Sequence, residues 1–311
     1  MALNDQKPTR RSALVGATAL VATSAVAPRI ALAQAAPHRF KVGAAEVTVL
    51  SDGALSAAWS FVLPDRQKAE IAAAGQTSAE IRLQYNVSLV KLGSDLILID
   101  AGSGPDFAPA RGKLADNLEK AGIKPEAVTK VVFTHAHPDH LRGVIDPLDG
   151  GSMFGKARHF MAAAERDYWL RPGIESTVAD SARGTAIGTQ RRLKELGAKI
   201  ETFKAGSEIV PGLAAVDTSG PTPGPVSFLV SSGSEKLMVG GDALTESVIS
   251  FARPEWRWGA DWDQDMGVAT RKRLLDMLAT GKIPLVGYHL PWPGVGRVER
   301  TGTAYRFAPQ A

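Results

Sequence analysis

The 311-residue chain contains no cysteine. Disulfide staples and thiolate metal sites are therefore excluded, and any bound metal must rest on imidazole and carboxylate donors. Aromatic residues make up only 6% of the sequence. Net positive charge is small beyond the first residues. The formal charge is +4 and the pI is near 9.3, but Lys7, Arg10, Arg11 and Arg29 against Asp5 place +3 within residues 1–33 and leave +1 for the rest. No basic stripe or RNA-binding motif follows, which argues against a nucleic-acid partner. The Ala-rich run from Ala13 to Ala27 falls short of the roughly 20 apolar residues of a membrane span, so no stable anchor is expected. At 44% apolar and 22% charged residues, the composition suits a globular protein with a substantial core.

The first segment reads as a targeting signal. Thr9-Arg10-Arg11-Ser12 precedes the Ala-rich run, and Ala31-Leu32-Ala33 fits a small-residue cleavage site, with Ala33-Gln34-Ala35 as an alternative. Paired arginines before such a run resemble a twin-arginine signal, which implies export of a folded protein to the periplasm. Residues 1–33 are assigned to the signal and 34–311 to one domain.

Along that domain, strands come in runs on either side of helical segments. Glu46–Leu50 alternates into the Ser51-Asp52-Gly53 turn, and residues 54–84 read as a loop with a short helix. Val87–Leu92 and Leu96–Ile99 form a hairpin, a helix fits Lys113–Ala121, and Val131–Phe133 is a short buried strand. Further strands are expected at 157–161, 200–203, 213–216, 226–230, 237–239 and 285–288. Helices are expected at 189–196 and 268–279, and a closing hairpin at 297–307. This order suits an α/β (α+β) fold, a four-layer αβ/βα sandwich of two mixed β-sheets, better than a regularly alternating parallel one.

Half of the six histidines fall at His135, His137 and His140, with Asp139 among them. Imidazole plus carboxylate is the donor set a borderline divalent cation takes when thiolates are missing. A loop directly after a strand can turn these side chains toward one point. His135 and His137 could share one metal, and Asp139 and His140 could face a second. Asp100, closing a strand, suits a supporting role behind a ligand.

Thr134-His135-Ala136-His137-Pro138-Asp139-His140 resembles the H-x-H-x-D-H signature of the metallo-β-lactamase superfamily. Leu98-Ile99-Asp100-Ala101-Gly102, Gly240-Gly241-Asp242 and Tyr288-His289-Leu290-Pro291-Trp292-Pro293-Gly294 extend the likeness. Within the superfamily the mature chain looks most similar to the exported methyl parathion hydrolases. That resemblance implies a first metal on His135 and His137, a second on Asp139, His140 and His289, and Asp242 bridging both. It further implies a hydrolase using metal-activated water, with Asp139 orienting that water as the catalytic residue. The implied cofactor is a divalent metal, zinc foremost, at one or two per chain. The implied partner is a small-molecule ester, lactone or phosphotriester, with a homodimer left open.

One departure stands out. Where the family carries Gly-His-Thr-Pro-Gly-His, this chain reads Gly220-Pro221-Thr222-Pro223-Gly224-Pro225. A proline side chain has no donor atom, so the first site is expected to be weak and the second to dominate. A degenerate member serving as a metal- or ligand-binding protein is the rival reading, and an iron-based redox role on the same scaffold is another. Phe251, Trp256, Trp258, Trp262 and Trp292 are candidates for pocket lining or for core. His38 and His159 have no expected metal role.

Overall fold

Several apolar runs lack the polar alternation of a half-exposed strand, because the strands they form are covered on both faces. In the computed structural model, residues 36–311 are described except 106–111, 147–149, Pro221 and Ala311. The signal segment and Pro221 thus lie outside the described residues.

The first sheet joins β1 (His38–Val42), β2 (Ala45–Ala58), β3 (Glu80–Leu92), β4 (Asp95–Ile99), β5 (Lys130–Val132), β6 (Arg158–Ala162) and β7 (Ile200–Phe203) in sequence order. The second joins β8 (Glu208–Val210), β9 (Leu213–Asp217), β10 (Val226–Ser232), β11 (Glu235–Gly240), β12 (Leu285–Gly287), β13 (Val295–Thr301) and β14 (Ala304–Pro309), again in order. Both sheets are mixed. β4 to β7 run parallel, as do β11 and β12, and the remaining pairs are antiparallel.

Side-chain alternation divides each strand between two cores. Val90, Ile97, Ile99 and Val132 of the first sheet meet Phe228, Val230, Val239 and Val286 of the second in a dry inter-sheet core. Their neighbours Leu89, Leu98 and Val131 face outward, onto helices that carry Leu118, Trp169 and Leu193. On the far side, Met238 and Leu285 pack under Leu274, Leu275 and Leu278 of the Gln264–Gly281 helix. The expected four layers are therefore present.

Two expectations needed correction. The turn at 51–53 is a bulge within a 14-residue β2, and the supposed loop contains the rest of β2, two short helices and the start of β3. Ala54–Ala58 is too small and too polar to read as a strand, yet it pairs fully with Glu80–Gln84. β1 and β8, both edge strands, carry only weak strand patterns.

His159 on β6 is almost wholly buried, stacks on Phe133 and lies 2.9 Å from Ser152 Oγ. Burial, reinforced by Lys199, pushes it down from 6.5 to about 4. The unfolded chain therefore takes up this proton first. Stability from the neutral ring is present above about pH 6.5 and lost as pH falls through about 4. We expect this group alone to cost about 3 kcal/mol across that window. Urea unfolding of wild type and His159→Gln at pH 7 and pH 4 measures it; equal pH losses in the two proteins would refute the assignment.

Candidate metal centre

The carboxyl ends of four central strands meet at one edge of the sandwich. β4 delivers Asp100, β5 leads into Thr134–His140, β11 into Asp242, and β12 into Tyr288 and His289. Backbone hydrogen bonds join the sheets there: Val226 N–H donates to Thr134 O at 2.9 Å, and Asn86 N–H to Tyr288 O at 2.9 Å. The backbone at Gly241 passes close to Thr134, so that a Cβ there would sit 3.0 Å from Thr134 Cβ, a tight contact.

Asp242 is the hub of the cluster. Its Oδ2 lies 3.2 Å from His135 Nε2 and 3.4 Å from His137 Nδ1, and its Oδ1 lies 3.0 Å from His140 Nε2 and 3.1 Å from His289 Nε2. Asp139 Oδ2 stands 3.7 Å from His140 Nε2 and 3.5 Å from His289 Nε2. All six residues singled out in the sequence are thus brought together. Donor atoms of His135, His140 and Asp242 form one group within 4.8 Å of one another, and those of Asp139, His140 and His289 form a second. The first group contains His140 in place of His137, which sits nearer the rim with its side chain 19% exposed.

The outer partners of the imidazoles fix which nitrogen faces inward. Asp100 accepts from Thr134 N–H at 2.7 Å and from the Thr134 hydroxyl at 2.8 Å, and its Oδ2 lies 2.7 Å from His140 Nδ1. With its proton given to Asp100, the Thr134 oxygen accepts from His135 Nδ1 at 3.0 Å. His289 Nδ1 donates to Gln84 O at 2.9 Å. With a cation at the centre, each of these rings would spend its Nδ1 proton outward and turn the Nε2 lone pair inward. The supporting role expected of Asp100 is borne by these contacts. Asp100 itself adopts φ 61°, an uncommon conformation for a residue with a Cβ.

Buried polar atoms at the centre lack hydrogen bonds. His135 Nε2, His140 Nε2 and Asp242 Oδ1 have none, although burial makes an unpaired polar atom costly. The electrostatics point the same way. Burial pushes the His140 imidazolium down, but Asp242, Asp100 and Asp139 outweigh it and hold that ring well above the ordinary range. Burial pushes the Asp242 carboxyl up, yet the surrounding imidazoles hold it well below. The donor types, the unpaired Nε2 and Oδ1 atoms and the surplus of carboxylates together fit a divalent cation.

The aromatic candidates divide. Phe251, Trp256 and Trp258 are core residues, and Trp292 packs against the inter-sheet core. Trp262 is 42% exposed and meets Tyr168 edge-on at 5.0 Å. Tyr168 touches Trp169, whose ring lies 6.4 Å from that of His137. Sequence reasoning missed Tyr168 and Trp169, buried core rings that back His137. The available signal was two adjacent aromatics in a chain poor in them, one helix after the cluster.

Comparison with known proteins places this geometry. The model of the metallo-beta-lactamase superfamily matches residues 81–293, and the chain belongs to that superfamily. The chain is similar to AidC, a dizinc quorum-quenching lactonase solved with the product N-hexanoyl-L-homoserine, at 28% identity and a TM-score of 0.83 over 89% of this chain and 98% of that one. It is also similar to the hydrolase AbOPH, at 26% identity and a TM-score of 0.80 over 89% and 98% of the two chains. Among curated proteins it matches the uncharacterized protein YobT of Bacillus subtilis (strain 168), 27% identical over 61% of this chain and 78% of that protein. Metal-dependent hydrolysis is the chemistry to which these relatives point.

Proposed function

We propose that this protein hydrolyses lactones or esters of small apolar substrates at a divalent metal centre held by His135, His137, Asp139, His140, Asp242 and His289. The observation that carries the reading is the convergence of these side chains on Asp242, with His135 and His140 Nε2 buried and free of hydrogen bonds. A divalent cation there would lower the pKa of water toward neutrality and polarise a carbonyl. Asp139, whose side chain is 17% exposed, stands where it can orient a water molecule and take its proton. Tyr288 donates to the backbone oxygen of Asp139 at 2.6 Å and stacks on His140, which holds both in place.

Trp262, exposed beside Tyr168, offers an apolar surface for an acyl chain or leaving group, and the product bound by AidC favours N-acyl homoserine lactones as first substrates. Phosphotriesters come second, through the sequence likeness to methyl parathion hydrolases. The native metal is proposed to be zinc. The paired arginines support a periplasmic location. Among the described residues no helix is long and apolar enough to cross a membrane.

The test is an assay of zinc-, manganese- and cobalt-loaded protein against acyl lactones, aryl esters and a phosphotriester. Turnover of a lactone or ester that is lost on chelation and restored by metal is the expected result. Silence with every metal would favour a binding protein instead.

A further inference from the structure

Glu165 has no solvent exposure and, among the described residues, no Lys or Arg partner. A carboxylate in that position is tolerated only if donors surround it, and four do. Oε1 accepts from Ala136 N–H at 2.9 Å and from the Trp169 indole at 2.8 Å. Oε2 accepts from the Thr222 hydroxyl and from Gly224 N–H at 3.3 Å.

These donors come from three separate parts of the site. Ala136 is the residue between His135 and His137, so its peptide orientation sets how both imidazoles leave the loop. Trp169, four residues along the same helix, is buried behind His137, ring to ring at 6.4 Å. Thr222 and Gly224 belong to the segment that enters β10 from the second sheet. That segment runs against the start of the helix, where a Cβ on Gly224 would lie 2.3 Å from Glu165 N.

We propose that Glu165 is a positioning residue that couples the His135–His137 arm to the Trp169 ring through Oε1, while the Thr222–Gly224 segment only satisfies Oε2. The inference rests on the reading of the cluster as a metal centre. An amide at 165 separates the arms. Its oxygen can still serve Ala136 and Trp169, while its NH2 faces Thr222, whose hydroxyl can turn to accept, and leaves only the long Gly224 contact unmet.

The experiment compares wild type with Glu165→Ala, Glu165→Gln and Thr222→Val, alone and with Trp169→Phe. Zinc affinity is read by competition with a chromophoric chelator, and tryptophan emission is read on metal-free protein. Glu165→Ala is expected to weaken zinc binding about 10- to 100-fold, the range for lost partners behind metal ligands. It should also red-shift the emission, a shift that disappears when Trp169→Phe is added. Glu165→Gln and Thr222→Val should keep zinc affinity within about threefold of wild type, as expected when the hold on Ala136 survives. Zinc affinity unchanged in Glu165→Ala, or equal losses in the Ala and Gln variants, would overturn the proposal. Should Glu165→Ala fail to fold, a tenfold zinc loss in Glu165→Gln or Thr222→Val would overturn it equally. Wild-type protein with no measurable zinc affinity would refute the metal centre itself, and the emission shift would still decide the link between Glu165 and Trp169.

Discussion

Asp242→Asn is expected to cut lactone or ester hydrolysis about a thousandfold while leaving the fold in place. Among the described residues, Asp242 is the one carboxylate within 3.4 Å of all four imidazoles of the cluster, two on each oxygen. An amide keeps an acceptor toward one pair and turns an NH2 group on the other, where the Nε2 lone pairs would be directed inward to a cation. The loss of one negative charge also weakens the hold on any cation. Metal catalysis contributes several kcal/mol of charge stabilisation, and about 1.4 kcal/mol corresponds to each factor of ten in rate, which gives the thousandfold figure. The measurements are kcat/KM, metal content and the far-ultraviolet circular dichroism of the variant. Retention of more than about a tenth of wild-type activity with full metal content would remove Asp242 from the centre.

The second large effect concerns how many metals are held. Protein purified without added metal is expected to carry about one per chain, seated on Asp139, His140, Asp242 and His289. The other side has His135 and His137, and His137 makes a single 3.4 Å contact to Asp242 from a partly exposed position. Pro221, which stands in the sequence where the family carries a histidine, has no donor atom to add. Pro221→His is expected to raise the content toward two per chain and hydrolysis by about tenfold, worth roughly 1.4 kcal/mol of barrier. Elemental analysis checks the first and steady-state kinetics the second. Two tightly bound metals in the wild type would show that Pro221 costs the site nothing.

The cluster was legible because three imidazoles and a carboxylate within six residues have few other uses, and its outer partner Asp100 followed from its place at a strand end. The central strands were legible for a similar reason. Runs such as Leu96–Ile99 and Val131–Phe133 are apolar on both faces and read as buried strands. Ala54–Ala58 was not legible, because its strand conformation is imposed by pairing with β3 and by packing near Trp59 rather than by its own side chains. Glu165 was hidden by a different cause. A lone Glu in a helical segment ordinarily faces solvent, and only tertiary structure shows it enclosed by donors from three places. Trp256 and Trp258 show the converse case, where residue type suggested a pocket and packing placed the rings in a small separate core.

The donors of the centre are drawn from both sheets: Asp139 and the cluster histidines follow β5, whereas Asp242 and His289 follow β11 and β12. A cation shared among them is therefore also a rivet between the two halves of the sandwich. Its binding energy adds to the docking of one half on the other, by about 4 kcal/mol when free metal exceeds its dissociation constant a thousandfold. Resistance to heat and to denaturant should then rise with metal supply, and chelation should loosen the seam between the sheets before it disturbs either sheet.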